Sequence, residues 1–289
     1  MADIRVVTDS ACDLPSALAD ELGIDVVPLT IRFGEEELVD RRDLSPKEFW
    51  ARVENSPILP ETAAPSPGAF EEAYRRAAAD GCPGVVVCTL SSALSATYQA
   101  AVVASQAVAD VIPVRVMDTR AVTMSEGMIA VAAARAANQG KGIDDVCGVV
   151  EDMSVRTRLY ATLDTLENLK KGGRVGNAQA LIGSLLSIKP VIELRNGVVE
   201  AESKQRTRSK SFRYLVEKVR ECGAVENVAV MHGEAPDIDE FLDLLAAVYP
   251  REQTTVADVG AVIGAHAGPR VIGVTFQVQD GQVSHPAPS

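Results

Sequence analysis

Val85-Val86-Val87-Cys88 runs without interruption into Thr89-Leu90-Ser91-Ser92, a β-branched stretch that stops abruptly in hydroxyl residues. Two other stretches repeat the arrangement. Ile4-Arg5-Val6-Val7 enters Thr8-Asp9-Ser10, and Val114-Arg115-Val116-Met117 enters Asp118-Thr119. Nearly continuous apolar runs mark strands buried on both faces of a parallel sheet. In open α/β sheets ligands bind beyond the carboxyl ends of such strands, so these polar residues are expected to converge on one crevice. A helical pattern that begins at Ser92 would add unpaired backbone N–H groups there, a setting suited to a carboxylate or small anion.

Composition narrows the possibilities. The 289 residues suffice for a sizeable core and fit two domains better than one. Hydrophobic residues make up 47 % of the chain and aromatics 4 %, so the core is built mainly of Ala, Val, Leu and Ile, as α/β layering requires. A formal net charge of −12 excludes the cationic footprint that nucleic-acid binding needs, and leaves at most transient contact with an anionic membrane. No apolar run reaches the roughly 18 residues of a membrane-spanning helix, and the first residues lead straight into a strand, which points to a cytoplasmic protein. The five cysteines, Cys12, Cys82, Cys88, Cys147 and Cys222, are scattered without a C-x-x-C pair, so neither a disulfide framework nor a zinc site is expected.

Local punctuation supplies the elements. Asp25 to Phe33 reads as a strand, with a Gly34-Glu35 turn into Glu36 to Val39. Ser45-Pro46-Lys47-Glu48 is a capping box with proline at the first helical position, and Leu44 can staple onto Phe49. Pro57 to Pro65 reads as an extended loop. Ser66-Pro67 caps the next helix, which Gly81 ends. Ser92 to Ala109 and Ser125 to Gln139 are further helices. Beyond Val155 the pattern changes to strands at Leu159 to Leu163, Val191 to Arg195, Val198 to Lys204, Val228 to Met231, Thr254 to Val259 and Val271 to Val278. Asn196-Gly197 between two of them is a type I′ hairpin signal, so this half contains antiparallel pairing. Helices are expected at Leu166 to Lys171, Ala178 to Leu186, Ser209 to Cys222 and Ile238 to Val248. The expected fold class is therefore α/β in two domains. Residues 1–155 form a mostly parallel three-layer α/β/α domain, and 156–279 an α/β domain with a mixed sheet. Residues 280–289 form a flexible tail.

Four polar constellations stand out. Glu61-Thr62-Ala63-Ala64-Pro65 precedes a capped helix; read alone, Thr62 bonds only to nearby backbone. Thr89 to Tyr98 carries two adjacent serines, and a plain N-cap accounts for only one of them. Lys170-Lys171-Gly172-Gly173-Arg174 is a basic helix end stopped by glycine, which leaves Arg174 beyond the stop unexplained. Gly264-Ala265-His266-Ala267-Gly268-Pro269 sets a histidine among small residues in a loop between two strands, where backbone and imidazole can approach a ligand closely. His232 and His285 lack such a setting.

Together these motifs resemble the DegV family over nearly the whole chain. The resemblance rests on Thr8-Asp9-Ser10, the T-x-x-P-S-P loop from Thr62 to Pro67, S-S-x-L-S-x-T-Y-Q from Ser91 to Gln99, and Gly172-Gly173-Arg174. The Lys204 to Lys210 stretch and the histidine loop complete it. It implies a bacterial fatty-acid-binding protein that carries a long-chain acid such as palmitate as ligand, with no cofactor and no metal. The acid would lie in a tunnel between the two domains. The family role is that of a non-enzymatic subunit of fatty acid kinase, which presents the carboxylate to a separate kinase for acyl-phosphate formation. Carried over by position, the resemblance assigns Thr62, Ala63, Ser92, Arg174 and His266 to the ligand and Arg206 to the kinase. Two departures touch the head group. The usual Thr-Ser-Gln-Pro loop reads Thr62-Ala63-Ala64-Pro65, and the glycine after the serine pair is Ala93. Leu181, Ile182, Leu185, Leu186 and Ile188 are candidate tunnel walls.

The alternative is an acyl-ester hydrolase, because Ser92, His266 and Asp9 or Asp118 are the ingredients of a triad, although no G-x-S-x-G elbow is present. A phosphate or sugar sensor ranks below it, since there is no Walker loop. Lys204, Arg206, Arg208, Lys210 and Arg213 fall within ten positions free of acidic residues, so this stretch reads either as a solvated helix face or as a docking site.

Overall fold

A computed structural model of the chain describes residues 3–181 and 188–279. Three sheets organise it. The first half opens with β1 (Arg5–Asp9), α1 (Ser16–Leu22), β2 (Ile24–Val27), β3 (Thr30–Phe33), β4 (Glu36–Val39), α2 (Pro46–Asn55), β5 (Glu61–Ala63) and α3 (Pro67–Ala79). It continues through β6 (Val85–Thr89), α4 (Thr97–Ala107), β7 (Val114–Asp118), α5 (Thr123–Asn138) and α6 (Ile143–Arg156). Strands β2-β1-β6-β7 form a parallel sheet, and β4-β3-β5 a small antiparallel one. Alternation along the parallel strands sends Val7, Val85 and Val87 toward α3 and α4, and Val6, Val86 and Cys88 toward α5 and α6. Both faces are thus covered, which accounts for the unbroken apolar runs.

The second half contains β8 (Thr157–Thr162), α7 (Glu167–Lys171), β9 (Lys189–Arg195), β10 (Val198–Gln205), α8 (Arg208–Glu221) and β11 (Val225–His232). After these come α9 (Ile238–Leu245), β12 (Thr255–Asp258), α10 (Ala261–Ala267) and β13 (Ile272–Val278). Its six-stranded sheet runs β10-β9-β8-β13-β11-β12, antiparallel except for the parallel pair β11 and β12. Asn196 and Gly197 turn β9 into β10 with φ of 51° and 79°, the type I′ geometry that dipeptide favours. One face packs on α8 and α9 through Tyr160, Phe212, Phe241 and Phe276. The other face, with Leu159, Ala161, Leu163 and Met231, joins the core of the first half in one continuous cluster. The fold is therefore α/β with one parallel and one mixed sheet.

Several expectations need correction. The run from Asp25 to Phe33 is two strands in different sheets, because Pro28 lacks the N–H to continue a ladder and Leu29 N donates to Ser10 Oγ at 3.0 Å. The loop from Pro57 to Pro65 contains β5, which pairs Thr62 with Ile31. The helix expected from Ser92 starts only at Thr97, and residues 90–96 form turns. The histidine loop is the short helix α10, consistent with the high helix propensity of Ala261, Ala265 and Ala267. Helices α1 and α6 were not anticipated. Of the helix expected over Ala178 to Leu186, a 3-10 turn spans Gly176–Leu181, and the remainder lies outside the described residues. Residues 280–289, expected as a tail, lie outside them as well. No helix of the described residues is long and apolar enough to cross a membrane.

Candidate functional site

The open face of the mixed sheet, α10, β5 and the connections after β2, β6 and β7 line a cavity of about 210 Å³. A single water needs only about 10–15 Å³, so this space holds a ligand of many atoms. Its floor includes Leu159, Ala161, Leu163 and Met231, and its other walls include Leu29, Leu90, Leu94, Val122 and Val262. The polar side chains of the lining are Thr62, Ser95, Thr123, Arg174 and His266.

Thr62 and His266 meet although 204 residues separate them, with Oγ1 and Nε2 2.9 Å apart. Strand pairing with β3 fixes Thr62, and α10 carries His266 in its last turn. The Nδ1 atom is buried without a hydrogen-bond partner. A proton on Nε2 leaves the smaller deficit, a bare lone pair instead of a buried N–H, and it frees the Thr62 hydroxyl proton to donate into the cavity. Burial, reinforced by the positive charge of Arg174, lowers the His266 pKa to about 4, so the ring is neutral at pH 7.

Glycines permit this approach at two points. A β-carbon on Gly172 would stand 2.4 Å from His266 Nδ1, so any other residue after α7 would displace the ring. A β-carbon on Gly264 would stand 2.6 Å from Phe49 and 2.8 Å from Trp50, so only glycine lets α10 lie against α2. There Trp50 Nε1 donates to Val259 O at 2.9 Å and anchors the approach to α10. Arg174 is held by Nε on Leu94 O at 3.1 Å and Nη1 on Gly172 O at 2.6 Å. Its Nη2 has no partner among the described residues and is available to an anion.

Ser92 and Ala63 do not line the cavity. Ser92 is exposed, its Oγ donates to Asp118 Oδ2 at 2.5 Å, and its backbone N–H donates to Asp118 Oδ1 at 3.2 Å. Ser91 is also committed, with Oγ donating to Gly197 O at 2.8 Å in the β9–β10 turn. These serines shape the connection after β6 in place of capping a helix, since hydroxyl bonds of this kind compete with helix formation. The turn they shape presents Ser95 to the cavity, where its Oγ lies 2.8 Å from Thr97 Oγ1. Ala64, next to Ala63, lines the wall. Ser95 is the third serine of the motif, and it faces the cavity because the helix starts at Thr97 and not at Ser92.

The Asp9-Ser10 pair supports the cavity without touching it. Asp9 accepts from Leu90 N at 2.9 Å and Ala11 N at 3.0 Å, and Ser10 accepts from Leu29 N. Both leucines line the cavity. Of the tunnel candidates, Leu181 is buried and Ile188 half-buried, but neither lines the cavity; Ile182, Leu185 and Leu186 lie outside the described residues. A hydrolytic triad is not assembled either, because Ser92 bonds Asp118 while His266 faces Thr62. Among the described residues no group of three or more His, Cys, Asp or Glu could hold a metal ion.

A family model described as "Uncharacterised protein, DegV family" matches residues 3–279. A DegV domain-containing protein of Streptomyces coelicolor is 40 % identical over 276 residues, covering 94 % of this chain and 97 % of its own. Among solved structures, a fatty-acid-binding DegV family protein from Thermus thermophilus superposes with a TM-score of 0.88 at 31 % identity, covering 96 % of this chain and all of that one. DegV from Bacillus subtilis, described as a fatty acid binding protein, superposes with a TM-score of 0.83 at 30 % identity, covering 96 % and 100 %.

The site makes a prediction about His266. The unfolded ring takes a proton near pH 6.5 and the folded one only near 4, so its contribution to stability is complete above about 6.5. That contribution declines by up to roughly 3 kcal/mol as pH falls to 4. Imidazole proton NMR should show the His266 resonance titrating near pH 4, well below that of an exposed histidine. A midpoint near 6.5 would contradict the burial argument.

Proposed function

The chain belongs to the DegV family, and from that premise we propose that it binds a long-chain fatty acid in the apolar cavity, with the carboxylate against Thr62, Ser95, Arg174 and His266. The observation that carries this reading is the cavity's division into apolar walls and a cluster of donors around the Thr62–His266 contact. Burying about fifteen methylenes at about 0.8 kcal/mol each supplies roughly 10 kcal/mol of transfer free energy. Hydrogen bonds to the charged head group add about 1.5–3 kcal/mol each. The tail therefore sets affinity and the head group sets register. Arg174 supplies the positive charge, and the neutral imidazole keeps Thr62 oriented to donate.

The reading assigns the chain a carrier's role and not an enzyme's. Residues 1–155 and 156–279 act as two domains that enclose the acid, and a separate kinase subunit receives the carboxylate for acyl-phosphate formation. The exposed residues Arg206, Lys210 and Arg213 would form the docking patch. Arg208 is not available to it, being paired with Asp237 at 2.5 Å and Asp164 at 3.3 Å.

Two tests follow. Thr62→Ala combined with Ser95→Ala should weaken binding of a long-chain acid by at least tenfold in a calorimetric titration, whereas Ser92→Ala should change it by less than about threefold. Unchanged affinity in the double variant would overturn the head-group assignment. Arg206→Ala should leave lipid affinity unchanged and slow phosphorylation by a cognate kinase, increasingly so at low carrier concentration and raised salt, since rim charges act mainly on encounter rate. Equal rates across a salt series would make this stretch an ordinary solvated face.

A further inference from the structure

Asp13, far in sequence from the lining residues it supports and itself absent from the cavity lining, is bonded to two parts of the site. Its Oδ2 accepts from Thr123 Oγ1 at 2.6 Å, and its Oδ1 accepts from Gly260 N at 2.9 Å. Thr123 lines the cavity, and Gly260 is the residue from which α10 starts, six positions before His266. Gly260 is the N-cap of α10, and its own backbone N–H is taken up by a carboxylate from 247 residues away, with the negative charge at the positive end of the helix.

The backbone marks the same place. Asp13 and Thr123 both have φ of 51°, and they are 2 % and 4 % exposed. The left-handed region is uncommon for aspartate and a true outlier for a β-branched residue, so it persists only where the surroundings determine it. Here the two outliers are hydrogen-bonded to one another. The surroundings of Asp13 are unusual in charge as well. Arg41 Nη2 is 3.9 Å from Asp13 Oδ1, while Asp40 opposes its charge and Asp9 and Glu126 are buried in the same region. Burial raises the Asp13 pKa to about 7 despite Arg41 and its two donors.

We propose that Asp13 is a positioning residue for the head-group site: by holding the start of α10 and the wall residue Thr123 together, it keeps the His266 ring against Thr62. The proposal rests on the lipid reading for its ligand but not for its geometry. A carboxylate that shifted α10 by a fraction of an ångström would move the Nε2–Oγ1 contact and the direction of the Thr62 proton. The apolar walls would keep their hold on the tail.

The test compares a long-chain acid with the primary alcohol of the same length, titrated into the full-length protein. Asp13→Ala should weaken the acid about tenfold, the equivalent of one charge-assisted hydrogen bond, and the alcohol less than about twofold. Asp13→Asn keeps an acceptor for Gly260 N and should restore acid binding. In a His266→Ala background, Asp13→Ala should leave the acid-to-alcohol ratio unchanged. Equal weakening of both ligands, or full additivity with His266→Ala, would overturn the proposal. Should Asp13→Ala fail to fold, Thr123→Val decides: it frees one Asp13 oxygen, should lower the ratio and shift the His266 ring resonance in NMR spectra, and overturns the proposal if both stay fixed. A wild type that binds neither ligand would refute the lipid reading instead, and the ring resonance in the same variants would still decide the role of Asp13.

Discussion

The hydrogen bond between Thr62 and His266 is the contact on which the site depends, because it joins a short strand of the first half to a short helix of the second at the polar part of an apolar cavity. Nothing local in either segment would hold that geometry. β5 has three residues and α10 has seven, too few to be stable alone. Each is instead fixed by neighbours: β5 by its pairing with β3, α10 by Trp50, by the close approach at Gly264 and by the bond from Asp13. Desolvation then keeps the imidazole neutral, and neutrality makes the ring a partner for a hydroxyl without adding a charge that the cavity could not solvate.

A division of labour follows from where the polar side chains lie. Asp9, Ser10, Ser91 and Ser92 spend their hydrogen bonds on backbone or on Asp118, and in doing so place Leu90, Leu29, Leu94 and Ser95. The groups that reach the cavity are fewer and come from separate elements. Motif residues at strand ends thus support the site more often than they touch it. The separation also explains why the alternative hydrolase reading fails on geometry although all its residue types are present.

Most of the framework was legible in the sequence because its signals are local. Continuous apolar runs marked β1, β6 and β7, Ser45 to Glu48 carried its own capping box, and Asn196-Gly197 set the hairpin. What escaped depended on distant partners. Proline at 28 splits one apolar run between two sheets, a decision made where Ser10 captures Leu29 N. In the sequence Ser92 reads as a helix cap, because its bond to Asp118 at the end of the neighbouring strand β7 leaves no trace in spacing. His266 reads as a loop residue because two glycines flank it, whereas Gly264 is there to let a helix approach Trp50. The resemblance to the DegV family supplied Thr62, Arg174 and His266 as ligand residues, and the structure brings these three to one cavity.

On the proposed function the cavity holds an acyl chain whose carboxylate meets this cluster. Denaturation of the purified protein, organic extraction and mass spectrometry of the extract test it most directly. The expected result is a long-chain fatty acid near one equivalent per chain and an unmodified polypeptide mass. An extract without fatty acid, from protein that also fails to take one up on addition, would contradict it, as would an acyl adduct on Ser92.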